Sequence, residues 1–220
     1  MKRKVLLACQ LMIMAFALIV TPVGVQAAGN DHHKHEHKLC ISPKMVQLQG
    51  DLRKLWIDHT IWTRSYIVSA LAGLEDQNDV LARLLRNQQD IGDAIKPYYG
   101  EAAGNKLAEL LKEHILLAGK VVDAAKSGNQ EELKKYNAAW YRNADDIAKF
   151  LSAANPNWPQ KELQDLLYTH LQLLTDQVTA RIMKDWKADI LAFDKYEDHI
   201  IKLADTLTNG TVKQFPEKFK

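Results

Sequence analysis

Half of the eight histidines of this 220-residue chain fall within six positions: His32, His33, His35 and His37, interleaved with Asp31 and Glu36 and followed by Cys40. Imidazole nitrogen is a ligand for Zn, Cu and Ni, and a His-rich tract is a compositional signal for metal binding. The tract has no apolar periodicity, so its histidines need no fold to converge on an ion. The competing reading is a solvated spacer. If processing continued past Gly29, the chain would begin Asn30-Asp31-His32, which can wrap Cu(II) or Ni(II) in square-planar nitrogen.

A second group is spread along the chain: His59, Gln88, His114, Asn143 and His170, with Asp189 and His199 further on. Each of the first four interrupts an otherwise apolar stripe near its midpoint, and the long C-terminal stripe adds His170 and Asp189, with His199 on its shoulder. If the stripes face one core, these residues meet at its waist. There they must close a hydrogen-bond network, hold water or hold a metal, since a buried polar group left unsatisfied costs about 1–3 kcal/mol. Three neutral imidazoles with a carboxylate suit Zn or Cu. Against that, no two of these ligands share a helix at i, i+3 or i, i+4. The bland reading is a structural layer that fixes helix register. Asp185 with Asp189, and Asp90 with Asp93, could support a histidine from behind or simply face solvent.

Known catalytic signatures are missing. The chain has no GxxxxGK[ST] phosphate loop, no GxGxxG after a strand, no GxSxG and no HExxH. None of the four later histidines has Glu three residues before it, so the ExxH pairs of a di-iron bundle are lacking as well. A hydrolase or transferase is disfavoured. An unrecognised enzyme acting at the layer is the third reading.

The elements that must position these residues are helical. Beyond residue 42 proline is confined to positions 43, 97, 156, 159 and 216, and the intervals between repeat their apolar residues every 3.6. No segment alternates as a strand does. The spacing predicts helices over 43–73, 77–98, 101–127 and 129–154. Residues 160–209 contain no Pro or Gly and keep phase throughout, which favours one helix of about 75 Å. A kink or short break near 183–188 is the alternative. Short connections make antiparallel neighbours the default. The expected fold is all-α: an up-and-down antiparallel bundle of four shorter helices and one long C-terminal helix over 43–210, then a tail over 211–220. Trp56, Trp62, Trp140 and Trp186 are expected in the core.

Residues 1–28 read as a secretory signal. Lys2, Arg3 and Lys4 precede an apolar run from Val5 to Val20, and small residues follow at Ala27 and Ala28. The run is shorter than the ~20 residues of a stable membrane span. Cleavage after Ala27 removes three of 29 basic and none of 27 acidic residues, changing the net charge from +2 to −1. That balance argues against nucleic acid as a partner. It also leaves Cys40 as the only cysteine, available for a bridge between two copies, a metal contact or neither. Residues 29–42 read as a flexible arm.

At LRKLWIDHTIWTRSYIVSALAG (52–73), NQQDIGDAIKPYYG (87–100) and NADDIAKFLSAANPNW (143–158) the chain resembles a group of exported helical proteins from Gram-positive bacteria. The resemblance covers about residues 43–219. It implies an all-α fold and export, and it supplies no activity and no site residues. Members have carried the labels glycosyltransferase and acetylglutamate kinase, which need α/β nucleotide-binding elements that this sequence lacks. The resulting expectation is a secreted or cell-surface helical-bundle binding protein. It would hold Zn, Cu or Ni through the arm and through a layer of His59, His114, His170, Asp189 and His199, or else meet a cell-envelope partner. The alternative is a non-metal interaction module whose layer only sets register.

Overall fold

The first helix, α1 (Pro43–Ala72), starts where Ser42 accepts a hydrogen bond from the Met45 amide through its side chain, with Pro43 in the first turn. It stops at Gly73, whose φ of 68° few other residues adopt cheaply. This computed structural model describes residues 42–220; the predicted signal segment, Cys40 and the arm with His32, His33, His35 and His37 lie outside the described residues. Next come α2 (Gln77–Tyr99), α3 (Glu101–Ser127) and α4 (Gln130–Ala154). Pro97 lies inside the last turn of α2, and Asn129 caps α4 by accepting from the Glu132 amide at 3.1 Å. Two further helices follow, α5 (Gln160–Ile182) and α6 (Trp186–Gln214), then a 3-10 turn at Pro216–Phe219. The described residues are all-α, with six helices and no strand.

The single long helix expected over 160–209 is therefore two. Three residues make the break. Lys184 takes a left-handed φ of 59°, its amide bonds the Arg181 carbonyl, and the Asp185 amide bonds the Ala180 carbonyl. These are the paired bonds of a Schellman stop, with lysine where glycine normally stands. Asp185 then caps α6 by accepting from the Ala188 amide at 3.0 Å. Ile182 and Trp186, expected in the apolar stripe, are exposed at this turn.

The C-terminal boundary also moves. Asn209-Gly210 does not end the last helix, which runs on to Gln214, and Phe219 is buried beyond it. Gly210 is there for close approach: a Cβ at this position would collide with the indole of Trp158. Trp158 is 2% exposed and donates through Nε1 to the Thr206 carbonyl at 3.1 Å, so the 155–159 break is pinned onto α6. Gly210→Ala should destabilise the protein by about 1–3 kcal/mol through overpacking. A urea melt checks it, and an unchanged midpoint would contradict this packing.

Consecutive helices pack against one another, and α1 also lies against α6. The shared core includes Leu52, Ile67, Leu84, Leu111, Ile147, Leu171 and Ile200, all nearly inaccessible. On the rim, Arg53 of α1 grips Asp205 of α6 with two hydrogen bonds of 2.6 and 2.7 Å. Among the described residues no helix is long and apolar enough to cross a membrane.

Candidate functional site

The polar residues predicted to meet at the waist do so in part. His59 (α1), His114 (α3) and His170 (α5) are each under 5% exposed, with His170 between the other two. Its ring centroid is 5.6 Å from that of His59 and 6.0 Å from that of His114. Tyr196 of α6 closes the group, its ring 4.9 Å from His170. Gln88 reaches in from α2 and Asn143 from α4. All six helices contribute a polar side chain to one level of the core.

The hydrogen bonds fix the chemistry of His114. The indole of Trp140 can only donate, and its Nε1 lies 3.0 Å from His114 Nε2. Nε2 must therefore accept, which leaves the proton on Nδ1. Nδ1 then donates to Asn143 Oδ1 at 2.7 Å, and Asn143 Nδ2 donates to the Leu110 carbonyl at 3.2 Å. The relay runs one way, from Trp140 through His114 and Asn143 to the backbone of α3. Both nitrogens of His114 are committed, and the ring is neutral.

His59 is held more loosely. Gln88 Nε2 approaches its Nδ1 at 3.3 Å while also donating to the Leu84 carbonyl at 2.8 Å and to Asn87 Oδ1 at 3.1 Å. Asn87 in turn donates to the Leu55 carbonyl of α1 at 3.0 Å. The two hydrogens of the Gln88 amide go to the two shorter bonds, so its approach to Nδ1 leaves the tautomer of His59 open. Burial, followed by the neighbouring His114, pushes the His59 pKa down to about 3. Burial pushes His114 down to about 4, against the opposing hydrogen bond from Asn143. His170 lies well below the usual histidine value, from burial first and then from its three histidine neighbours. Each effect has the same cause: a charged imidazole here would lose its hydration with no anion to replace it.

Between these rings lies a cavity of about 10 Å³, lined by His59, Thr63, His114, Trp140, His170 and Tyr196. Three buried polar atoms of its lining residues have no protein partner: Thr63 Oγ1, His170 Nδ1 and Tyr196 Oη. That volume and three partners are what one buried water requires. The space is large enough for one solvent molecule and too small for an organic substrate.

Two residues assigned to this layer lie elsewhere. Asp189, in the first turn of α6, is buried, but its carboxylate accepts two hydrogen bonds from Arg64 at 2.9 and 3.0 Å and one from Arg181 at 2.7 Å. It locks α1, α5 and α6 together near the Lys184 turn and does not serve the histidines. His199 donates through Nε2 to the Leu166 carbonyl at 2.8 Å, bracing α6 on α5. Asp185 is the cap of α6, while Asp90 and Asp93 face Arg83 and Lys96. Among the described residues no group of three or more His, Cys, Asp or Glu is placed to hold a metal ion.

Three members of the layer escape sequence reasoning. Tyr196 and Trp140 look like ordinary stripe residues, and only their polar ends make them partners. Thr63 lies one residue beyond Trp62 and carries no signal of its own.

No family model, curated protein or solved structure matches the chain.

Proposed function

We propose that the chain is an exported, non-catalytic helical-bundle binding module whose histidine layer is structural. The observation that carries this reading is the full commitment of His114: Trp140 occupies its only lone pair and Asn143 takes its proton. A metal would have to displace the indole, and a substrate has no room beside a cavity of about 10 Å³. The up-and-down sense of the bundle belongs to the same reading. It is supported by α1 and α6, along which the partners run in opposite order, Arg53 with Asp205 and Arg64 with Asp189. Export rests on the basic and apolar N-terminal segment and on the resemblance to exported helical proteins.

The test is a melt of the chain from residue 42 with and without Zn(II), Cu(II) or Ni(II). A structural layer predicts no metal-dependent rise in Tm. A rise abolished by His59→Ala and His114→Ala would overturn the reading.

A second reading concerns the arm alone and is favoured by four histidines within six positions. The arm binds a transition metal without help from the bundle. Calorimetric titration of the exported chain should show sites that weaken below about pH 6 as imidazoles protonate. A chain beginning at Leu39 should lack them. Equal binding by both chains would contradict the arm as the ligand.

A further inference from the structure

The bundle has one place where large apolar side chains gather on the outside. At the turn between α5 and α6, Ile182, Met183 and Trp186 are 42, 75 and 53% exposed, and Ile190 and Leu191 on the first turns of α6 are 55 and 54% exposed. The other exposed apolar residues include Val46, Ile61 and Leu116 on the helices and Leu74 in the turn after α1. The turn is no loose loop. Schellman bonds close it, Asp185 caps the next helix, and Asp189 clamps it through Arg64 and Arg181. Arg181 also lies 5.5 Å over the Trp186 ring, so the indole is held outward. A hydrogen-bonded scaffold therefore presents these residues at an exposed tip.

Beside the tip runs a groove of about 270 Å³ lined by Leu71, Lys126, Arg181, Ile182, Lys184 and Trp186. It carries three cations and no carboxylate. Glu75 and Asp76, in the neighbouring turn between α1 and α2, take no part in its lining. Of the acids on the tip, Asp189 is buried between Arg64 and Arg181, and the exposed Asp185, which caps α6, stands against the two exposed lysines Lys184 and Lys187.

We propose that this tip docks on an anionic lipid surface, with Met183, Trp186, Ile190 and Leu191 entering the interface and the Lys126/Arg181/Lys184 groove taking a lipid phosphate. An exposed apolar tip with an outward tryptophan and flanking lysines matches the boundary between headgroup and acyl chain. The adjoining cationic groove matches the charge that such a surface carries. The inference rests on the binding-module reading and gives that module its partner. The melting test of the histidine layer judges the reading separately.

The test uses the exported chain and vesicles of phosphatidylcholine with phosphatidylglycerol, against vesicles of phosphatidylcholine alone. Binding is expected to the anionic vesicles only, falling as salt rises. Tryptophan emission should shift to the blue, because Trp186 is the most exposed of the five tryptophans. Met183→Asp with Ile190→Asp, and separately Lys184→Glu with Lys187→Glu, should each weaken binding by about tenfold or more while leaving Tm unchanged. Leu116→Asp, on the flank of α3, should bind as the parent does. Three results would overturn the proposal: no binding to anionic vesicles, binding unaffected by both tip variants, or a dimer of the parent that the tip variants dissolve.

Discussion

Lowering the pH from 8 to 5 should remove about 4 kcal/mol of stability from the bundle, about 2 kcal/mol for each of His59 and His114, with a further loss of the same sign from His170. In the unfolded chain these imidazoles titrate near the ordinary value of 6.5. In the folded chain burial holds all three far below it, to about 3 for His59 and about 4 for His114. Between those limits the unfolded state binds more protons than the folded one, so stability rises with pH. The contribution is complete above about pH 6.5 and drains away as the pH falls toward the folded values. A loss of this size is comparable to the whole stability of an ordinary domain. Acid unfolding is therefore expected near pH 5, with an uptake of about two protons from His59 and His114 and more from His170. Urea melts at a series of pH values measure the slope, and His170→Gln should lower it. A flat profile between pH 5 and 8 would contradict burial of the neutral rings.

His114→Ala should cost about 2–4 kcal/mol at pH 7, because it strands the Trp140 indole and Asn143 Oδ1 and leaves a void as well. Asn143→Ala should cost about 1–3 kcal/mol by stranding His114 Nδ1. The double variant should cost clearly less than the two together, since both break one relay. Chemical denaturation of the four proteins closes the cycle. Additive losses, or a loss under about 0.5 kcal/mol at His114, would mean that the Trp140–His114–Asn143 relay does not operate in solution.

The helices were legible because periodicity, proline and the caps agreed. Ser42, Gly73, Gly128 and Asn129 stand where the chain turns. The layer was legible because His59, Gln88, His114, Asn143 and His170 are the misfits in apolar stripes, and a misfit at each midpoint points to one level of the core. Asp189 looked like another such misfit. Its two arginine partners are more than a hundred residues away in one case and across a turn in the other, and local sequence does not reveal them. The break at Lys184 was hidden because lysine fills the left-handed position where glycine would have announced a stop. The phase of the apolar repeat runs across it undisturbed. Gly210 misled in the opposite sense: it reads as a stop and is a notch for Trp158. In both cases tertiary contacts, which a local pattern does not carry, decided the backbone.

The most direct measurement of the central claim is the long-range proton–nitrogen spectrum of the protein labelled at its histidine rings, recorded at pH 5.8 with and without Zn(II). The account predicts that His59, His114 and His170 are neutral at that pH, with the proton of His114 on Nδ1, and that Zn(II) leaves all three unmoved. Protonated rings, the opposite tautomer at His114, or nitrogen shifts on adding Zn(II) would contradict a closed structural layer.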